Sequence, residues 1–576
     1  MISQTLKIKT TAFFFFITAM LFAQDPLGTE VINVVRPYTP AVSDAFKVKE
    51  TPSLTDSLTS QKKEVNYSIF SVPVASTFTP AKGKATTIER KKQEKLFGNY
   101  ATLGLGNYSS ILAELYSNFQ ISRTDNVGFF LKHNSSQGGI DNIILDDKFY
   151  NTRLDVNYAS LQRDMSYTLD FGIQHQLFNW YGVNPNLFFA EEQINGIDPE
   201  HSYFGVSVGG NLKFDDAIFS EGDVRLRYFS DSFSSSEINA VVQPKLEFDL
   251  GGQNVGLNLG LNYLNGTFDN SYGNPNTGIS YGFLNTSINP YILLQEDAFS
   301  INLGAAIFYS MDTENSDGRL FIYPRVNASY RLVDEFVTIY AGAEGDLVQN
   351  SYYNFSQENP FVSPSLFIIP TDQTYEGFGG IKGKLTNTIA YNLRASYKKE
   401  NDKPFFQLND FIGTNPNLEG YENGNSFNVV YDDLNTLEVF GELQVAVNTN
   451  FALGMNASFF SYTNDVEREA WNLPKIKASL FANANITEKL YGGVNLFYVG
   501  ERKDQFNNTT DFILEPQIIT LDSYLDANIH LGYRINEQLS IFAKGNNLLG
   551  DTYEKWANFP VLGIQVLAGA TYKFDW

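Results

Sequence analysis

Apolar and polar residues alternate with a period of two along most of this chain. In the last stretch Ile564, Val566, Ala568, Ala570, Tyr572, Phe574 and Trp576 fall on one face of an extended strand. Gln565, Thr571, Lys573 and Asp575 fall on the other. The same rhythm returns upstream. Val255, Leu257, Leu259, Leu261 and Tyr263 interleave with Gly256, Asn258, Gly260 and Asn262. Leu437, Val439, Leu443 and Val445 interleave with Glu438, Glu442 and Gln444, and Leu525, Ala527, Ile529 and Leu531 with Asp526, Asn528 and His530. Each run holds for about ten residues, the length a tilted strand needs to cross a bilayer. The pattern predicts strands near 97–107, 110–122, 126–135, 149–159, 165–177, 202–214, 222–231, 237–249, 254–265, 278–293 and 298–310. It continues with 318–331, 335–349, 372–385, 388–400, 426–448, 450–462, 473–486, 489–500, 520–534, 538–545 and 562–576.

The polar rows decide between a sandwich and a barrel. Glu438, Glu442, Asn483, Asn485, Asp522, Asp526 and Asn528 sit on faces that a dry sandwich core would not accept unpaired, whereas a wet lumen would. Connections also alternate in length. Short turns at 123–125, 250–253, 333–335, 386–388 and 536–537 exchange with loops at 136–148, 178–201, 351–371, 401–425, 501–519 and 546–561. Short periplasmic turns against longer outer loops are the signature of a bacterial outer-membrane barrel. The expected fold class is therefore all-β, a transmembrane antiparallel barrel of about twenty-two strands. An even count leaves both ends of the barrel on the periplasmic side. Pro244, Pro290 and Pro324 fall inside strands, where bulges are expected to absorb them.

Composition adds three constraints. Mean hydropathy is −0.21, which a barrel permits because half of each strand faces its lumen. The absence of cysteine excludes disulfides, thiol catalysis and a lipid-modified cysteine. The net charge is −23: residues 97–576 carry −28, while residues 24–96 have a slight basic excess of +3 and residues 1–23 one of +2, so nucleic acid is not an expected partner. Residues 1–23 read as a secretory signal, with Lys7 and Lys9 before an apolar run from Ala12 to Phe22 and a small residue, Ala23, at its end. Residues 24–96 form a leader rich in Pro, Ser and Thr, expected to be extended or disordered, with the β-prone run Glu30, Val31, Ile32, Asn33 and Val34. A basic cluster, Arg90, Lys91, Lys92 and Lys95, closes it.

Near the C-terminus, Asn546, Asn547, Leu548, Leu549, Gly550, Asp551, Thr552 and Tyr553, followed by Trp556, Gly563 and an aromatic final strand, resemble the end of TonB-dependent receptors. The resemblance implies a twenty-two-strand barrel, in agreement with the alternation. It also implies a plug domain inside the barrel and a short TonB box before it. Residues 24–96 are too few for a full plug, although Glu30 to Val34 are similar to a TonB box in position and character. A barrel of this width is an open hole unless filled, so the leader, inward-folded loops or a partner protein is expected to occupy it. The functions that follow are an outer-membrane receptor or transport barrel, or a structural subunit of a larger outer-membrane assembly. The partners expected are outer-membrane lipid and TonB or another periplasmic or outer-membrane protein.

Residue chemistry offers a third reading. On the strand 126–135 the row Val127, Phe129 and Leu131 continues to His133 and Ser135, a base and nucleophile at spacing two if a third group orients the imidazole. This His-x-Ser is similar to the site of barrel lipid hydrolases, with Asp141 or Asn142 as third-member guesses; the same residues also read as a polar girdle at the strand's end. The other histidines, His175, His201 and His530, show no metal-ligand spacing, and no cofactor or metal is expected. Asp312, Glu314 and Asp317, or Asp146 and Asp147, are the acidic loop residues nearest to a calcium site. Outer-loop aromatics (Trp180, Tyr181, Phe188, Phe189, Tyr352, Tyr353, Phe355 and Phe361) either bind a ligand or partner or fold the loops themselves.

Overall fold

A strand with an aliphatic outer row buries that row only against lipid or a second sheet. The computed structural model describes residues 95–576, apart from 185–186, 188–193, 216, 275, 414–417, 449 and 508–515. In it, twenty-two strands pair antiparallel in chain order. The first, Asn99–Gly106, pairs with Ile111–Gln120 on one side and with the last, Gln565–Phe574, on the other, so the sheet closes on itself. Leu103 and Leu105, Val224 and Leu226, Leu303 and Ile307, and Leu437 and Val439 all remain exposed on the outside. The protein is thus the all-β antiparallel barrel that the alternation predicts, and the apolar outer rows are left to lipid. No helix among the described residues is long and apolar enough to cross a membrane. The signal 1–23 and nearly all of the leader 24–96, including Glu30 to Val34, lie outside the described residues.

Strand positions follow the alternation closely and depart from it where loops meet loops. The strand expected at 388–400 runs as Ile389–Leu408, passing Pro404 after a register shift between Glu400 and Lys403. The segment read as a loop at 501–519 holds a separate hairpin, Arg502–Phe506 with Gln517–Leu521. The barrel strand after it begins at Tyr524 rather than 520. Register shifts lie beside two of the three prolines, between Phe219 and Glu221 next to the Gly222–Pro244 pair and between Glu344 and Asp346 next to the Arg325–Glu344 pair that precedes Pro324, and none lies beside Pro290. Pairing of Ser236–Leu250 with Gln253–Phe268 skips Gln243 and Pro244, and pairing of Ile279–Gln295 with Phe299–Asp312 skips Asn289 and Pro290, each resuming in unchanged register. Pro324 lies where the ladder to Val337–Val348 stops, at Arg325. Each proline therefore interrupts one side of a ladder, which its missing N–H cannot serve. At the short-turn end, Gly251 and Gly252 (φ 64° and 84°) make a two-residue hairpin whose positive φ values suit glycine.

The largest buried apolar cluster lies in the loops at the other end. Trp180, Tyr203, Phe229, Leu264, Tyr352, Val362, Leu366, Tyr421, Phe427 and Phe559 are each almost wholly buried in one cluster. Strands supply part of it from their lumenal rows, and the long loops supply the rest.

Candidate functional site

The chain between Val337–Val348 and Thr371–Thr386 folds across the barrel mouth. It opens with Ser351, whose side chain accepts from Asn354 N and caps the seven-residue helix Tyr352–Glu358. From there it touches opposite walls. Gln357 Nε2 donates to Gln176 Oε1 (2.9 Å) on Met165–Asn179, the fifth barrel strand. Val362 bridges to Phe427, and Ser363 N donates to Phe427 O (2.8 Å), at the start of Phe427–Asn448, the sixteenth. Strands five and sixteen of twenty-two lie half a circumference apart, so this loop spans the lumen. Pro360 O accepts from Trp180 Nε1 (3.2 Å) and the Tyr203 hydroxyl (2.8 Å), and the Phe361 ring stacks on Phe559 at 3.8 Å. The Asn350 amide, donating to Ile369 O and Thr371 Oγ1, ties the two ends of the loop together.

Two buried carboxylates anchor the helix to the wall. Glu237 Oε2 accepts from Tyr352 N (2.7 Å) and the Tyr281 hydroxyl (2.9 Å), and Oε1 from Tyr353 N (3.3 Å). The first N–H groups of a helix have no partner within it, and a carboxylate there satisfies both their hydrogen bonds and their partial positive charge. Arg227 Nη2 lies 3.7 Å from the same carboxylate, and its guanidinium sits 3.9 Å from the Tyr353 ring centre. Asp231 takes the Tyr352 hydroxyl (2.6 Å) together with Phe233 N and Ser235 N. His201 packs between Trp180 and Phe233, 3.9 Å from Asp231. Beside Tyr353 is a cavity of about 390 Å³ on the wall, where Arg153, Arg225 and Arg227 face Asp155 and Asp170.

The last loop completes the cover. Asn547 adopts φ 47°, a left-handed conformation that asparagine tolerates, and Gly550 follows at φ 68°. Asn547 Nδ2 then donates to Asp551 O and Leu562 O, and its N–H to Asn528 Oδ1 (3.1 Å). Tyr553 donates to Asp526 Oδ2 (2.8 Å) and stacks flat on Tyr524 at 3.7 Å. The Asn-to-Tyr motif read from the sequence thus ties this loop down to the barrel's lumenal row. Between it, Phe361 and the residues around Asp147 is a second cavity of about 350 Å³. Burial pushes the Asp147 carboxyl above the usual range.

The remaining expected residues fall as follows. Glu438 accepts from Ser458 Oγ and Glu442 from Gln444 Nε2, both opposite the exposed Leu437 and Val439. Asn483 and Asn485 line a small recess with Tyr491 and His530. Asp522 is not on the wall: it is exposed in the link before Tyr524. Asp312 caps its own turn, accepting from Glu314 N and Asn315 N. Trp180, Tyr352, Phe355 and Phe361 are buried in the loop core, and Phe188 and Phe189 lie outside the described residues. His133 Nε2 does bond Ser135 Oγ (3.1 Å), and its Nδ1 bonds Thr152 Oγ1 (2.8 Å), so the third member is neither Asp141 nor Asn142. A neutral hydroxyl cannot stabilise an imidazolium as a carboxylate does. Ser135 is only 4% exposed, between its cross-strand neighbours Ile111 and Tyr150. The arrangement satisfies polar groups on a lipid-facing surface. Sequence reasoning missed Glu237, Asp231 and the helix, although Ser351 before Tyr352 and Phe355 at spacing three carried a helical signal.

No family model matches this chain, and no curated protein matches it. Solved structures do match its fold. The ferripyoverdine receptor of the outer membrane of Pseudomonas aeruginosa aligns at 15% identity and TM-score 0.59, over 84% of this chain and 73% of that one. The ferric-catecholate import receptor Fiu of E. coli K12 aligns at 12% and 0.61, over 84% and 82%. The copper transporter OprC aligns at 12% and 0.59, also over 84% and 82%. The chain therefore has the fold of the TonB-dependent receptors. With an apolar outer surface around twenty-two closed strands, it is integral to an outer membrane.

Proposed function

We propose that this barrel takes up a solute at its long-loop end and passes it across the outer membrane, the loop 349–370 keeping the lumen shut between solutes. The observation that carries this reading is the contact of that one loop with strands half a circumference apart. A lumen this wide conducts unless something fills it, and a loop across a mouth is an element that binding energy can move. The test is single-channel conductance in planar bilayers. Replacing 352–368 by a short Gly-Ser linker should turn a closed or weakly conducting barrel into one with large, stable openings. Equal conductance from both proteins would overturn the reading. On the periplasmic side, Glu30 to Val34 are the proposed contact for TonB. Capture of purified TonB C-terminal domain, lost in a Val31→Pro, Val34→Pro variant, tests it; equal capture by both would reject the contact.

One feature favours the alternative, a subunit of a larger assembly. Asp317–Val333 rises past its neighbour, leaving Asp317 to Pro324 without a paired strand on that side among the described residues and Leu320 and Ile322 exposed. Such an edge invites another strand. Co-purification from native membranes of a second protein in fixed ratio, lost on Ile322→Lys, would favour this alternative.

A further inference from the structure

The cavity of about 390 Å³ beside Tyr353 is a recess in the wall with opposite charges on its two sides. Four neighbouring strands make it: Lys148–Leu161, Met165–Asn179, Glu200–Phe214 and Phe219–Asp231. Their registers set two rows across the lumenal face. One runs Asp155, Gly172, Ser207, Arg227, and the other Asn157, Asp170, Gly209, Arg225. Each row has an acid on one of the first two strands, a small residue on the third and an arginine on the fourth. The small residues form the floor. A Cβ on Gly209 would stand 3.9 Å from both Arg225 Nε and Asp170 Cβ and meet nothing closer than 3.5 Å, so the space between acid and arginine is open.

The charges on the lining are not equally committed. Arg153 Nε and Nη2 donate to the two oxygens of Asp155 (2.7 and 2.8 Å). Arg227 stacks on Tyr353 and lies 3.7 Å from the buried Glu237. Asp170 and Arg225 remain. Both are exposed to the lumen, and among the described residues neither side chain makes a hydrogen bond or an ion pair within 4.0 Å. Elsewhere on the wall opposite charges do close on one another, as Lys132 on Glu114 (3.1 Å) and Arg325 on Asp346 (2.9 Å). With Glu237 counted, three arginines meet three carboxylates, so the recess as a whole attracts neither sign. It is polarised across its width instead.

A molecule that answers both sides carries a cation at one end and an anion at the other. A carboxylate matches the fork of a guanidinium, and an ammonium is a compact donor for a carboxylate. Neighbouring strands lie about 4.7–4.9 Å apart, so the backbones at Asp170 and Arg225, two strands apart, are separated by roughly 10 Å, and the side chains shorten that gap. An extended chain spans about 3.3–3.6 Å per residue, so two or three residues reach across. The volume lies at the lower end of the range for ligand pockets, about 300–1,000 Å³.

We propose that this recess binds a small zwitterion, of the class of free amino acids and short linear peptides, with the ligand's ammonium on Asp170 and its carboxylate on Arg225. Gly172, Ser207 and Gly209 leave room for its backbone. The recess lies on the short-turn side of the helix Tyr352–Glu358, because Phe219–Asp231 rises from that end through Arg225 to the Asp231 that holds Tyr352. This rests on the uptake reading above and gives the solute that passes the loop a chemical class.

The test is calorimetric titration of the full-length protein in mild detergent, with glycine, L-leucine, L-alanyl-L-alanine and tri-L-alanine as probes. At least one should bind saturably with a Kd between about 1 μM and 1 mM. Its N-acetyl and C-amide derivatives, each missing one charge, should bind about tenfold or more weakly. Asp170→Asn should remove the discrimination against the N-acetyl form and Arg225→Gln that against the amide. Each should weaken the free ligand by about tenfold while keeping the heat-modifiable gel mobility of a folded barrel. Gly209→Leu, which fills the gap and leaves both charges in place, should weaken it as well. Should one charge variant fail to fold, the other and Gly209→Leu carry the comparison. No saturable binding of any probe would overturn the proposal. So would equal binding of free and blocked forms, the mark of a plain anion or cation site, and so would equal binding by the folded variants. None of these results touches the conductance test of the loop, so the solute class and the uptake reading fail separately.

Discussion

Asp504 is fully buried where three loops meet. Its Oδ1 accepts from Leu408 N (3.0 Å) and Gln505 N (2.7 Å), and its Oδ2 from Asn472 Nδ2 (2.8 Å). Burial outweighs these bonds and the nearby Arg502, pushing the carboxyl up to about 6. A carboxyl whose folded value is raised binds its proton more tightly in the folded loop than in an opened one. Its contribution is therefore greatest below the ordinary value near 4 and is lost as pH rises to about 6. Hydrogen exchange at the Leu408 amide, corrected for intrinsic rate, should be more protected at pH 4.5 than at pH 7.5, and Asp504→Asn should flatten the difference. Equal protection in the parent protein at both pH values would rule this out. Asp526 and Asn528 make the same point about legibility. Alternation puts them on the lumenal face, but only the fold shows that they hold Tyr553 and Asn547 of the last loop.

The helix Tyr352–Glu358 is far shorter than the ~12–15 residues at which an isolated helix becomes even marginal in water. Its stability comes from outside: the Ser351 cap, the Glu237 carboxylate and the rings of Phe229 and Phe406. Glu237→Ala leaves two helix N–H groups without their acceptor and the Arg227 charge without its counter-ion. It should free the loop to chymotrypsin at Tyr352, Tyr353 and Phe355 while the barrel stays folded, with Glu237→Gln intermediate. Ser351→Ala should loosen it less, by about 1 kcal/mol. Unchanged cleavage in Glu237→Ala would mean that the aromatic packing alone holds the loop. No period-two pattern announces this element. Its sequence is apolar and aromatic like the strands, and what makes it a helix inside a barrel is the acid that waits on a strand more than a hundred residues earlier.

At the scale of the whole molecule, closure depends on the two ends of the barrel finding each other. Gln565–Phe574 pairs with Asn99–Gly106, and Trp576 Nε1 lies 3.0 Å from both Asn99 Oδ1 and Ser117 Oγ, its ring stacked on Phe119 at 5.7 Å. A barrel has no edge once this seam forms, and an open one leaves a row of unpaired backbone groups in lipid. Deleting 565–576 should abolish the heat-modifiable folded form. Trp576→Ala should keep that form but lower the temperature at which it is lost. A deletion that still gives the compact form on gels would show that the seam is dispensable.

The chain's alternation determined the class of fold, the strand number and which row of each strand meets lipid, because a period of two needs no knowledge of any neighbour. The motif of the last loop was legible too, from its resemblance to the end of TonB-dependent receptors rather than from alternation. Alternation could not say what closes the mouth. The cap is made by side chains far apart in sequence, and their partners are set by which strands stand opposite each other once the cylinder has closed. Glu237 with Tyr352, Pro360 with Trp180, and Asn179 with Trp556 around one cavity are consequences of that circumference, and no local pattern encodes them.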